Sequence, residues 1–198
     1  HRSPSRGLGD VYKRQDVRKT LQKLGNKFFT NGDGEVLARA LRQWGYDALD
    51  RLEGMWAFAW YDELSGTLLL SRDRFGEKPL YIWRRDEGIY FSSEVKGLAS
   101  LAGVRPSINE NHLLRNLING YKSLYKVKET FFHGVEELTA GTFLILSPQK
   151  SEQQTRYWYP NQEVENGMTY EDAVGKTRDA LLNSIKLRLR ADVPLAFC

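Results

Sequence analysis

The sequence predicts an α+β fold in which antiparallel sheets are covered on both faces by helices, and then the first helix and strand of an α/β unit. Three patterns carry this. Residues 55–61 and 67–70 are apolar on both faces and meet across Asp62-Glu63-Leu64-Ser65-Gly66, a turn of hairpin type, and strands of that kind need cover on both sides. Helical stripes flank them, the clearest being Val36, Leu37, Ala40, Leu41 and Trp44. A helix with its own capping signature then leads into a short apolar run at 193–198.

From the N-terminus, residues 1–15 have no helical or strand period and carry Arg2, Arg6, Lys13 and Arg14 against Asp10, without an initiator Met. They read as a non-native leader and are excluded from the fold. Val17, Leu21 and Leu24 keep helical spacing, and Gly25 stands where a C-cap glycine belongs. Phe28, Phe29 and Thr30 suit a short strand, and Asn31-Gly32-Asp33-Gly34 a polar turn. The stripe from Val36 to Trp44 follows and is stopped by Gly45, with Asp33 as its N-cap; a shorter helix around Leu49 and Leu52 ends near Gly54. After the loop 72–79, residues 80–83 and 89–92 pair across Arg85-Asp86-Glu87-Gly88. Residues 94–101 and 109–119 read as helices, and 142–147 as a strand. The polar stretch 148–168 reads as irregular, with Tyr157-Trp158-Tyr159 packing it onto a neighbouring domain. Thr169 and Asp172 match the Thr-x-x-Asp capping signature of a helix that runs to about Arg190, with Tyr170, Val174, Leu181 and Ile185 on one face. The domain reading is therefore 1–15 leader, 16–150 first domain, 151–168 linker and 169–198 the start of a second.

The composition removes several classes of function. The chain has 198 residues, 41% hydrophobic and 12% aromatic, enough to bury a core. No apolar run approaches the ~20 residues of a membrane-spanning helix. The net charge is +4, but residues 1–15 hold +3 of it, so no basic stripe remains for nucleic acid. One cysteine and three scattered histidines form no metal-ligand cluster. Cys198 ends an apolar run and reads as a buried structural thiol, while His112 and His133 read as ordinary helix-face and loop residues. Spacing alone assembles no complete active site.

Several ordered motifs are nevertheless recognisable. Asn31-Gly32-Asp33-Gly34-Glu35-Val36-Leu37 resembles the Ser-Asp-x-Glu-Val-Leu segment of class II glutamine amidotransferases. Leu52-Glu53-Gly54-Met55-Trp56-Ala57-Phe58-Ala59, followed by Ser71-Arg72-Asp73-Arg74-Phe75-Gly76-Glu77-Lys78-Pro79-Leu80-Tyr81, is similar to the most distinctive block of glutamine-hydrolysing asparagine synthetases. Phe91-Ser92-Ser93-Glu94-Val95-Lys96, Gly134-Val135-Glu136-Glu137-Leu138-Thr139-Ala140-Gly141, Arg156-Tyr157-Trp158 and Arg190-Ala191-Asp192-Val193-Pro194 extend the match in order.

The resemblance implies a four-layer sandwich of the N-terminal-nucleophile (Ntn) hydrolase type over 16–150, a partial glutamine amidotransferase domain. From 169 it implies the start of an α/β ATP-pyrophosphatase-type synthetase domain. It implies two coupled reactions. A thiolate hydrolyses glutamine to glutamate and ammonia, and the ammonia amidates aspartate through an aspartyl-adenylate, which makes the whole protein an asparagine synthase. Its partners would be glutamine, aspartate and ATP with Mg²⁺, in a cytoplasmic, homodimeric enzyme. The family's Met-Cys-Gly start, glutamine-carboxylate arginine region and Asn-Gly-Glu oxyanion segment are absent, as is its Ser-Gly-Gly-x-Asp-Ser loop. The match therefore implies a chain truncated at both ends, without cofactor, catalytic residue or activity of its own. One family ligand maps onto this sequence: Asp33, as the residue that binds glutamine's α-ammonium group. Gly32 stands where the family has Ser, and Gly34 where it has Thr or Cys. Arg72, Asp73, Arg74, Glu77 and Lys78 are read as structural. Two other readings remain: a synthetase-like amidotransferase acting on another carboxylate, such as a cell-surface sugar acid, and a non-catalytic Ntn-fold binding or scaffold domain.

Overall fold

The computed structural model describes residues 14–121, 124, 129–148, 150–164 and 166–189. They fall into two compact units, Met55–Trp158 and, separately, residues 14–54 with 159–189.

The first unit holds two antiparallel sheets. Strands β1 (Ala57–Asp62), β2 (Thr67–Arg72), β6 (Thr142–Ser147) and β7 (Lys150–Arg156) form one, in the order β1-β2-β6-β7. Strands β3 (Tyr81–Arg85), β4 (Gly88–Ser92) and β5 (Val135–Glu137) form the other, in the order β4-β3-β5. The two-residue alternation of strands explains the layering. Leu70 and Leu144 of the first sheet meet Leu80, Ile82 and Leu138, joined by Leu68, Leu146, Ile89 and Phe91. The intervening positions of the smaller sheet, Tyr81, Trp83 and Tyr90, face the other way onto helix α4 (Val95–Ala102) through Leu98, Val95 and Ala102. Sheet, sheet and helix thus form three layers. Helix α5 (Glu110–Asn119) follows, with Asn109 as its N-cap accepting from the His112 amide.

The two-faced burial predicted for residues 55–61 and 67–70 holds along β2, where residues 69–72 are buried, but not for β1. Strand β1 lies at the edge of its sheet, so Phe58 is buried while Tyr61 is 59% exposed.

Residues 150–156 correct the linker expected from 151. They pair with β6 from Thr142↔Arg156 onward, and Arg84 of β3 clasps Glu152. The polar composition of β7 concealed a strand held by its neighbour's ladder and by charge. The Tyr157-Trp158 patch likewise belongs to this unit's own packing. Tyr157 stacks between Trp56 and Phe143, at centroid distances of 6.4 and 6.5 Å, and Trp158 lies edge-on to Phe75.

In the second unit, α1 (Arg14–Lys23) contributes Val17 and Leu21 to the buried set. Helix α2 (Asp33–Trp44) contributes Val36, Leu37, Ala40 and Leu41, and α3 (Ala48–Arg51) contributes Ala48 and Leu49. Arg14 and Gln15, assigned to the leader by sequence, are helical. Gly25 adopts φ +88 and the Asn26 amide reaches back to the Leu21 carbonyl, the bond that closes a helix C-terminus with a left-handed residue. Helix α6 (Tyr170–Arg188) carries the predicted capping box, with Thr169 and Asp172 bonding each other's backbone amides. Its apolar residues Tyr170, Val174, Leu181 and Ile185 are 45–80% exposed. The cap and local propensity therefore define this helix without burial of its stripe. Residues 193–198, including Cys198, lie outside the described residues.

Candidate functional site

Asp33 is the first residue of α2 and half-buried. It is not the N-cap that the sequence suggested. That position is Gly32, with φ −77 and ψ 151, and it has no side chain with which to cap. Asp33 and Glu35 put two acidic residues in the first turn, the end of a helix whose dipole a negative charge complements.

The residue that organises this loop is Glu35, the third position of the helix. Its carboxylate accepts from the Phe29 amide at 3.0 and 3.1 Å, from the Thr30 amide at 2.7 Å and from the Thr30 hydroxyl at 2.9 Å. Arg39, one turn on, adds Nε at 3.0 Å and Nη2 at 2.8 Å, in the favourable order with the acid N-terminal to the base. Partial desolvation works against the charge of Glu35, but the Arg39 and loop hydrogen bonds outweigh it and hold its pKa at about 2, against an ordinary 4.5. Arg18 of α1 completes the grip: its guanidinium lies 4.3 Å over the Phe28 ring, and Nη2 donates to the Thr30 carbonyl at 2.7 Å.

The 28–30 strand expected from sequence is therefore absent. Its amides donate to a carboxylate, not to a ladder. Sequence reading passed over Glu35, although an acidic residue at the third helical position is the recognised half of a capping box.

In the first unit, Arg72 and Asp73 form a buried hub. Asp73, 1% exposed, accepts from the amides of Trp56, Phe75, Glu77 and Lys78 at 3.0–3.2 Å. Arg72, 8% exposed, donates to the carbonyls of Lys78, Leu138 and Gly76 and to the Glu137 carboxylate. Gly76 has φ +66, and a Cβ there would lie 2.9 Å from the Arg72 guanidinium carbon, so glycine is required on both counts.

Arg72, Gly76 and Glu77 line a cavity of about 660 Å³, together with Phe75, Tyr81, His112 and Glu129. Its polar groups serve the fold. The Thr130 hydroxyl bonds the Phe132 and Val135 carbonyls, and the buried His112 packs edge-on to Phe131 at 4.9 Å. No cysteine lies among the described residues. Arg72 and Asp73 thus spend their hydrogen bonds on holding the loop and its neighbouring backbone.

Two antiparallel sheets packed face to face, with a helical layer on one outer face, make an α+β sandwich. Comparison with known proteins agrees. Residues 8–158 match the family described as glutamine amidotransferase domain, and the chain belongs to that family. It is 28% identical over 187 residues to asparagine synthetase [glutamine-hydrolyzing] 3 of Bacillus subtilis, covering 94% of this chain and 30% of that protein. It is 30% identical over 173 residues to amidase chry2 of Gibberella zeae, covering 86% of this chain and 25% of that one. The chain thus spans less than a third of the length of either relative. Among solved structures, glutamine phosphoribosylpyrophosphate amidotransferase from B. subtilis superposes with a TM-score of 0.55 at 19% identity, over 81% of this chain and 31% of that one; this likeness concerns the fold. No helix among the described residues is long and apolar enough to cross a membrane.

Proposed function

We propose that this chain is the glutamine-binding part of an ATP-dependent asparagine synthetase, an enzyme that hydrolyses glutamine and uses the ammonia to amidate aspartate. The observation that carries the reading is Asp33, a half-buried carboxylate at the first turn of α2 on a loop fastened by Glu35 and Arg39. A fixed anion of this kind suits an α-ammonium group, and a charge-assisted hydrogen bond to it is worth about 1.5–3 kcal/mol. Among the described residues no glycine-rich phosphate loop is present, so ATP with Mg²⁺ enters through family likeness alone.

The synthetase relatives support aspartate as acceptor. The amidase relative, at comparable identity, supports a second reading in which the same glutamine-using domain serves another carboxylate. Asp33→Asn in the full-length protein tests the site. Glutamine-dependent turnover should fall roughly 10- to 100-fold, while synthesis from free ammonia stays near normal. Equal loss of both would leave Asp33 a structural role only.

A further inference from the structure

Resting on the reading of Asp33 as the ammonium ligand, we propose that Glu35 is its positioning residue, acting through the Thr30 hydroxyl. The connection is continuous. Thr30 Oγ1 donates to Glu35 at 2.9 Å and accepts from the Gly32 amide at 3.3 Å. Gly32 is bonded directly to Asp33, so one side-chain relay joins the third position of α2 to the peptide that carries the ligand. The Thr30 carbonyl is held from the other side by Arg18, and the Glu35 carboxylate is itself fixed by two bonds from Arg39.

The need for such a clasp follows from the sequence. Asp33 stands between Gly32 and Gly34, the two residues that most enlarge the conformational freedom of the chain before it is ordered. Gly32 has no side chain with which to cap the helix. An ammonium ligand on so free a backbone would have to be ordered each time glutamine binds, and that ordering subtracts from affinity. Glu35 meets that cost at folding. Its carboxylate takes five donors, three from residues 29–30, with the Phe29 amide shared between both oxygens, and two from Arg39, far more than a helix cap requires. The Phe29 side chain is 85% exposed and meets the Arg39 guanidinium at 5.6 Å from its ring centre. The clasp fixes backbone, not core.

The test uses the full-length protein and four variants, with Asp33→Asn as reference. In Glu35→Gln the KM for glutamine should rise roughly tenfold with kcat little changed, and ammonia-dependent synthesis should hold. Thr30→Val keeps the side-chain shape but breaks the relay. It should raise the same KM about threefold or more, and it carries the test if Glu35→Gln folds poorly. Thr30→Ser, which keeps the hydroxyl, should recover most of that rise. Parallel loss of glutamine- and ammonia-dependent activity in Glu35→Gln would make Glu35 a fold residue and overturn the proposal. A wild-type glutamine KM in Glu35→Gln, alongside a strong Asp33→Asn defect, would overturn the positioning role and leave the ammonium reading standing. A silent Asp33→Asn would overturn both, and equal values for Thr30→Ser and Thr30→Val would overturn the relay.

Discussion

Two loops of this chain are each gathered around a single carboxylate, and they differ in where their donors come from. Around Asp73 the four donors are all backbone amides, from residues 56 to 78, and the carboxylate is 1% exposed. Around Glu35 the donors are mixed. Two neighbouring residues offer amides, and the Thr30 hydroxyl and Arg39 supply the rest, at a side chain that keeps 16% exposure. The first arrangement leaves nothing over for a ligand, because every oxygen is consumed far from water and the loop it shapes is part of the sheet junction. The second sets a short segment on the rim of a helix and leaves a further acidic residue, Asp33, beside it. Charged clusters alike in sequence therefore separate by burial and by donor type.

The contrast is broken most severely at the buried hub. Asp73→Asn turns one acceptor oxygen into a donor that faces amide N–H groups, each orphaned donor costing about 1–3 kcal/mol. The expected loss is on the order of 3–5 kcal/mol, with the whole first unit affected. Urea unfolding of the two proteins measures it. A change under about 1 kcal/mol would mean that water reaches the hub, and the comparison would lose its basis.

At the exposed hub the effect should follow pH. The pKa of Glu35 is lowered on folding from 4.5 to about 2. Its contribution is thus complete above about pH 4.5 and is lost as the pH falls towards 2. The stability difference between wild type and Glu35→Gln should therefore be constant from neutral pH down to about 4.5 and shrink below it. Denaturation midpoints across that range report it, and a difference that stays level down to pH 2 would show that the charge of Glu35 does not contribute.

The same contrast explains what sequence could and could not foretell. Helix α2, the β1–β2 and β3–β4 hairpins and the α6 capping box were legible because their signals are local: a 3.6-residue stripe, a turn between apolar runs, a Thr with an acid three residues on. Strand β7 was not, since its polar side chains give no period and its partners are β6 and Arg84, sixty-odd residues before Glu152. The Phe28–Thr30 segment has strand-like residues, yet its amides are captured by a carboxylate that follows them. Of the candidate site, family likeness pointed to Asp33, but its place inside the helix and the contacts of Glu35 depend on which donor meets which oxygen. Composition does not record that.

The smallest effect expected concerns the cap that Gly32 leaves empty. Its φ and ψ, −77 and 151, are those of an ordinary N-cap residue, and a Cβ there would find only Thr30 Oγ1, at 3.7 Å, an ordinary contact. Serine, which the related motif carries at this position, should therefore fit without strain. Its hydroxyl would accept from the amide of the second or third helical residue, while the Gly32 amide that bonds Thr30 is unchanged. Gly32→Ser should raise stability by a few tenths of a kcal/mol, partly from the cap and partly from the reduced freedom of the unfolded chain. With Glu35 already holding the loop, the KM for glutamine should move by less than about twofold. In the Glu35→Gln background the same substitution should matter more, because an added cap then replaces part of a lost clasp. A double-mutant cycle over positions 32 and 35 measures that coupling. Strict additivity would show that the two devices fix different parts of the loop, and would separate capping of α2 from the positioning of Asp33.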